Sequence, residues 1–245
     1  MKLKNKVVLV TGAAKRIGRE LALAAAQRGA RVAIHFNRSA REARSLADEI
    51  RSRFCAQAQT FRADLLKIRE AQTMVNAVVR HYGALDVLIN NASIFERVPC
   101  AAVRESDWDR NLNLHLKSPF FMAQAAAPHM RRRGEGKIIN IADWAGLRLD
   151  KDYIAYGVSK AALIALTQAL AKALAPSVQV NAVLPGPVLL PEKWGRAARD
   201  KIIAATPLKR IGSPADVRET VLFLIEGSDF ITGAQIAVDG GRLIA

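Results

Sequence analysis

The sequence predicts an α/β protein, a single doubly wound parallel sheet with helices on both faces, spanning residues 1–245 as one domain. Three observations carry this reading. Short apolar runs of strand type alternate with longer amphipathic segments of helical period. A glycine turn follows the first apolar run directly. Finally, 245 residues with 51% hydrophobic and 24% charged side chains suit one large soluble domain with a substantial core.

Lys6–Val10 reads as the first strand. Thr11-Gly12-Ala13-Ala14-Lys15-Arg16-Ile17-Gly18 follows, opening a helix over about Arg16–Arg28 that stops at Gly29. Arg31–Phe36 is the second strand, and Ser39 caps a charged helix reaching about Arg53. Gln57–Phe61 is the third strand. Lys67–Tyr82 is a helix stopped by Gly83, and Leu85–Asn90 is the fourth strand. A helical stretch runs from Ser106 to about Arg133. It is followed by the apolar strand around Ile138–Ile141 and a long helix from about Asp152 to Ala175, closed by Pro176. Gln179–Leu184 is strand-like, and Pro185-Gly186-Pro187 to Pro207 reads as irregular, interrupted by Pro191, Trp194 and Gly195. Ser213-Pro214-Ala215-Asp216 starts another helix, and Ala234–Val238 is the last strand. No stretch reads as a linker, repeat or low-complexity segment.

The formal charge is +15, from 37 basic against 22 acidic residues. The basic residues are scattered, and their one run, Arg131-Arg132-Arg133, sits at a helix end where it complements the helix dipole. A nucleic-acid partner is therefore not favoured. Cys55 and Cys100 have neither CxxC nor metal spacing and read as reduced, structural thiols. No bound metal is expected. No segment reads as a membrane span or a signal-peptide core, so a cytoplasmic protein is expected.

Two regions carry chemistry. A glycine turn between strand and helix lets backbone amides approach a pyrophosphate at the helix N-terminus, with Gly12, Arg16, Ile17 and Gly18 in that position. The second strand ends in Asn37-Arg38-Ser39 rather than an acid. A cation beside a hydroxyl suits a 2′-phosphate, so NADPH is the expected cofactor; the bland alternative is a solvated Arg38 and a Ser39 that only caps. Asp64 and Leu65 after the third strand, and Asn91-Ala92 after the fourth, complete the cofactor cleft, with Asp64 a candidate acceptor for the adenine amino group. The second region is Tyr156 and Lys160, four apart in one helix and so on one face. A cationic Lys160 beside the phenol is expected to lower a pKa that ordinarily lies near ~10.

In order along essentially the whole chain, Thr11-Gly12…Gly18, Asn91-Ala92, Tyr156-x-x-x-Lys160, Asn181 with Pro185-Gly186, and Val238-Asp239-Gly240-Gly241 resemble the short-chain dehydrogenase/reductase family and its Rossmann-type fold. The resemblance implies NAD(P)-dependent oxidation or reduction. Tyr156 would be the proton donor or acceptor, Lys160 would hold the nicotinamide ribose, and Pro185 and Gly186 would line the cofactor. It also implies a homotetramer by analogy. Three positions depart from the family pattern. Asp143 stands thirteen residues before Tyr156, where the family usually has Ser; Arg16 replaces the middle glycine; His115 replaces the usual Asn. The first two are similar to the pteridine reductases, and all three to their dihydromonapterin-reductase branch, as are Ala13-Ala14-Lys15-Arg16, Arg38-Ser39 and Asn91-Ala92-Ser93-Ile94-Phe95. That likeness implies NADPH-dependent reduction of a pterin-like heterocycle at a C=N bond. Asp143, Tyr156, Lys160 and His115 would be catalytic, and Arg16, Ser93, Phe95, Asp143 and Tyr156 would bind substrate beneath a covering segment near 187–207. The bland readings are a loop acid at Asp143, core packing at Phe95 and a carbonyl partner at His115. Two rival functions stand beside this: a reductase of 3-oxoacyl thioesters or other ketones, and a non-catalytic NADPH-binding regulatory or scaffold protein.

Overall fold

A computed structural model describes residues 1–190 and 194–245. They form seven parallel strands: β1 (Val7–Val10), β2 (Arg31–Phe36), β3 (Ala58–Arg62), β4 (Val87–Asn90), β5 (Gly136–Ile141), β6 (Val178–Pro185) and β7 (Gln235–Val238). Their order is β3-β2-β1-β4-β5-β6-β7. The helices between them are α1 (Arg16–Gln27), α2 (Ala40–Phe54), α3 (Ile68–Tyr82), α4 (Glu105–Leu112), α5 (Ser118–Arg132), α6 (Ile154–Leu174), α7 (Arg196–Ala204) and α8 (Pro214–Glu226). This is the doubly wound Rossmann-type sheet that the alternation predicts.

The sheet is buried on both faces, which is why its central strands read as unbroken apolar runs. Side chains alternate: Val8 and Val10 pack with Leu21, Leu46 and Val221 from α1, α2 and α8. Val7 and Leu9 pack with Val75, Met122 and Leu170 from α3, α5 and α6. Each such side chain contributes roughly 1.5–3 kcal/mol by leaving water. The ends follow local chemistry. Gly83 takes the left-handed conformation (φ 75°) and returns its N–H to the Val79 carbonyl, ending α3. Ser213 and Asp216 form a reciprocal cap with Pro214 in the first turn of α8.

Strand order reverses between β1 and β4, because the chain first builds outward to β3 and then returns to the other side of β1. Strand C-termini therefore diverge into a crevice at this point, where ligands bind in such sheets. Below it, the Asn90 amide donates to Asn140 Oδ1 (2.8 Å) and the Asn140 amide to Thr167 Oγ1 (2.9 Å). These buried bonds tie β4 and β5 to α6, fixing the helix that bears Tyr156 and Lys160 against the strand ends.

Four expectations need correction. The stretch Ser106–Arg133 is not one regular helix, because Asn113–Lys117 adopts a π turn between α4 and α5. The segment 187–207 contains α7, a short helix with no fully buried residue; Pro191 lies outside the described residues. Both cysteines are free and exposed rather than structural. Lastly, α6 is long and apolar enough to cross a membrane by composition, but 56% of that window is buried in the protein and it packs on β6.

Candidate active site

The residues singled out in the sequence meet along the C-terminal ends of the strands. At the β1–α1 turn, Gly12 has φ +61°, a conformation glycine adopts without penalty. A Cβ on Gly18 would collide with the Gly12 carbonyl and the Asn91 amide, so backbone sits against backbone here. Arg16 also adopts a left-handed φ of 56°, strained for a side-chain-bearing residue. Its guanidinium donates to the Leu189 carbonyl (2.7 Å), crossing the crevice to the base of the 187–207 segment. Ile17 is half-buried beside it. From β4, Asn91 donates to the Thr11 carbonyl (2.8 Å), and the Thr11 hydroxyl receives the Asn91 and Ala92 amides (2.8 and 3.0 Å).

At the end of β2, Arg38 is exposed and makes no ion pair among the described residues, and Ser39 occupies the N-cap position without a side-chain cap bond. Both groups thus remain free to receive a phosphate, and the idea that Ser39 merely caps α2 is not realised. Asn37 reaches Asp64 Oδ1 (3.4 Å), which also accepts from the Leu66 amide (3.1 Å). Leu65 is buried in the core, so its side chain does not line the cleft. Gly186 donates its amide to the Val238 carbonyl (3.0 Å), and a Cβ there would meet Asp239 at 2.6 Å. Asn181 bridges the Ile231 carbonyl and the Ala234 amide, a structural task.

The chemical centre lies between β5 and α6. Asp143 uses its two oxygens for two tasks. Oδ1 accepts from the Ala145 amide (2.8 Å), capping the turn Trp144–Gly146, while Oδ2 accepts from the Tyr156 hydroxyl (2.7 Å). Burial raises the Asp143 pKa above the ordinary value, opposed by the Ala145 amide, the Tyr156 hydroxyl and the Lys160 charge. Lys160 donates to the Ile141 carbonyl (2.9 Å), 5.7 Å from the Tyr156 ring centre. Burial lowers its pKa to about 8, with Asp143 acting the other way. The expected acidification of Tyr156 by Lys160 is therefore corrected. Burial, then the Asp143 charge, push the phenol well above its ordinary value, and the ammonium is directed to a carbonyl instead.

His115 is turned inward by the π turn and is buried. The Ser159 hydroxyl donates to the Tyr156 carbonyl (2.6 Å), so it accepts from His115 Nδ1 (2.8 Å). His115 Nε2 then accepts from the Ile94 amide (3.2 Å) and lies 2.9 Å from Ser93 Oγ. Burial and Lys160 keep the ring neutral. Phe95, 48% exposed, stacks on Tyr153 (centres 4.5 Å apart, planes within 9°) with Tyr156 edge-on at 4.9 Å. Tyr153 and Ser159 were not foreseen; only their spacing of three from Tyr156, one helical turn, could have pointed to them.

His35 is a further residue the sequence did not mark. Burial holds its pKa down at about 4, against the Ala63 carbonyl and Asp64. As pH falls from 6.5, the unfolded chain takes up a proton that the native ring refuses, so native stability is lost progressively down to about pH 4. From this group alone we expect stability roughly 2 kcal/mol lower at pH 5 than at pH 7. Urea unfolding at the two pH values checks this, and equal midpoints would contradict it.

This is a dinucleotide-cleft oxidoreductase site with a Tyr–Lys pair. A family model described as "Enoyl-(Acyl carrier protein) reductase" matches residues 12–242, and the chain belongs to the short-chain dehydrogenase/reductase family. It is similar to the 3-oxoacyl-[acyl-carrier-protein] reductase FabG of Thermotoga maritima, 35% identical over 248 residues and covering 100% of both chains. Among solved structures it is similar to FolM alternative dihydrofolate reductase 1 from Brucella canis, complexed with NADP. The TM-score is 0.93 at 34% identity, covering 100% of this chain and 96% of that one. It is also similar to a blue fluorescent protein from a metagenomic library in complex with NADPH, with a TM-score of 0.91 at 32% identity and 99% of each chain covered.

Proposed function

We propose that this protein is an NADPH-dependent reductase of pterin-like heterocycles, dihydropterin or dihydrofolate, acting at a ring C=N bond. One observation carries the choice of substrate: the Asp143 carboxylate accepts from the Tyr156 hydroxyl at 2.7 Å, where the family resemblance places a serine hydroxyl. Reduction of C=N delivers two electrons to carbon and needs a proton on nitrogen. NADPH supplies the hydride when bound, held by the Gly12–Gly18 turn, Arg38 and Ser39, with Lys160 at the nicotinamide ribose. The Tyr156 hydroxyl gives its proton to the ring nitrogen, and Asp143, which burial makes a weaker acid than an ordinary carboxyl group, takes up a proton from solvent and passes it back to Tyr156. The pair titrates as a unit, so the rate falls as pH rises past its apparent pKa. The NADP complexes of structures similar over the whole chain, and the uncommitted Arg38 and Ser39, support the cofactor.

The half-exposed Phe95 supports a flat ring as substrate. Phe95→Ala is expected to raise the Michaelis constant for a dihydropterin several-fold, as the loss of about 0.5–1.5 kcal/mol of stacking requires, while the NADPH constant stays put. A collapse of NADPH affinity instead would place Phe95 outside the substrate pocket.

The second reading is reduction of 3-oxoacyl thioesters, favoured by the 35% identity to a curated protein of that name and by the +15 charge, which suits an acidic carrier. Loss of NADPH absorbance with 7,8-dihydrobiopterin, with an acetoacetyl thioester and with no substrate separates the two. Turnover on the thioester alone would select the second reading. A homotetramer is the expected assembly, supported by the exposed Trp108 and Phe120 and by Ala165 and Ala169 on the outer side of α6.

A further inference from the structure

His35 stands at the end of β2 with 1% of its surface exposed, outside the proton-transfer centre. Its Nε2 lies 3.1 Å from the Ala63 carbonyl, which can only accept, so Nε2 carries the hydrogen. Nδ1 is then a bare lone pair, and it accepts the Gly12 amide at 3.0 Å. The same residue's carbonyl accepts the Ala13 amide at 3.0 Å. One residue of β2 therefore holds two consecutive amides of the glycine turn, while Asn91, just after β4, fastens the turn through Thr11. The ring also links the turn to Ala63, the residue before Asp64, so the pyrophosphate turn and the β3 end of the cleft share one rigid connector. Gly12 sits at φ +61°, where no side chain of its own can brace it.

We infer that His35 is a positioning residue for the dinucleotide: through the Gly12 amide it fixes the shape of the glycine turn, and thereby the affinity for the cofactor pyrophosphate. It takes no part in hydride or proton transfer. Protonation is excluded near neutrality because the ring is buried and its pKa lies at about 4, so the acceptor at Nδ1 is permanent under working conditions. The inference rests on the cofactor reading given above and is independent of which substrate is reduced.

Two substitutions divide the two bonds. His35→Asn places a carboxamide oxygen where Nδ1 stands and can keep the Gly12 bond. His35→Gln places an amide N–H near the Nε2 position and can keep only the Ala63 bond. The experiment is NADPH fluorescence titration of the full chain and both variants, with kcat at saturating NADPH on the substrate that the wild type turns over. His35→Asn is expected to bind NADPH within about threefold of wild type. His35→Gln is expected to bind at least about tenfold more weakly, because the Gly12 amide left without its acceptor turns toward another partner and takes the glycine turn out of its pyrophosphate-binding shape. Both should keep kcat within about twofold. Equal NADPH affinity for the two variants, or a fall in kcat at unchanged affinity, overturns the inference. A wild type that does not bind NADPH would instead overturn the cofactor reading, and the inference with it.

Discussion

Asp143→Asn is expected to slow dihydropterin reduction by roughly 10²–10⁴-fold, the range ascribed to general acid–base catalysis, while NADPH binding stays intact. The carboxamide keeps the size of the carboxylate. Its oxygen can still accept from the Ala145 amide while its NH2 group donates to the Tyr156 oxygen, so the turn Trp144–Gly146 and the contact to Tyr156 survive with the second bond reversed. What disappears is the proton that Asp143 returns to Tyr156. Because burial, followed by the Asp143 charge, raises the Tyr156 pKa, the phenol holds its proton tightly and its replenishment depends on that neighbour. The decline of rate at alkaline pH should therefore be lost together with the rate itself. A variant as fast as wild type would reduce Asp143 to a turn-capping acid.

Arg38→Asp is expected to raise the NADPH Michaelis constant by roughly 10²-fold or more and to leave NADH nearly unchanged. A hydrogen bond to a charged group contributes about 1.5–3 kcal/mol, and the substitution adds a repelling charge at the 2′-phosphate. An acid at the end of β2 can also accept from the ribose hydroxyls of NADH. The structure makes this sharper, because Arg38 is exposed without an ion-pair partner among the described residues, so its loss removes no internal contact of the side chain. Equal losses for both cofactors, read from steady-state kinetics, would mean that Arg38 acts on the fold.

Much of this site was legible in one dimension. Gly12, Gly18 and Asn91 follow strand ends and Tyr156 and Lys160 share a helix face, and the resemblance to the short-chain dehydrogenase/reductase family implies that they meet in one crevice. The register between Asp143 and Tyr156 also survives in three dimensions as a direct bond. Three features were not legible, each for a physical reason. His35 acts through a lone pair whose partner depends on how β1 and β2 are paired, and a buried histidine in a strand looks like any core residue. The direction of the Tyr156 shift is set by burial and then by the Asp143 charge, and Lys160 spends its ammonium on Ile141, which no spacing reveals. Finally, α7 is short and buries no residue fully, so it is easily taken for irregular chain between prolines, and the π turn that aims His115 inward leaves the helical pattern on either side intact.

The central claim is that the carboxylate at position 143 selects a C=N substrate over a carbonyl. It is tested most directly by the ratio of kcat/KM on 7,8-dihydrobiopterin to kcat/KM on an acetoacetyl thioester, measured in wild type and in Asp143→Ser. The account predicts a wild-type ratio in favour of the dihydropterin, and a fall of at least about tenfold when serine, the common family residue, removes the exchangeable acid. A wild type that prefers the thioester, or a ratio that does not move on substitution, would contradict it.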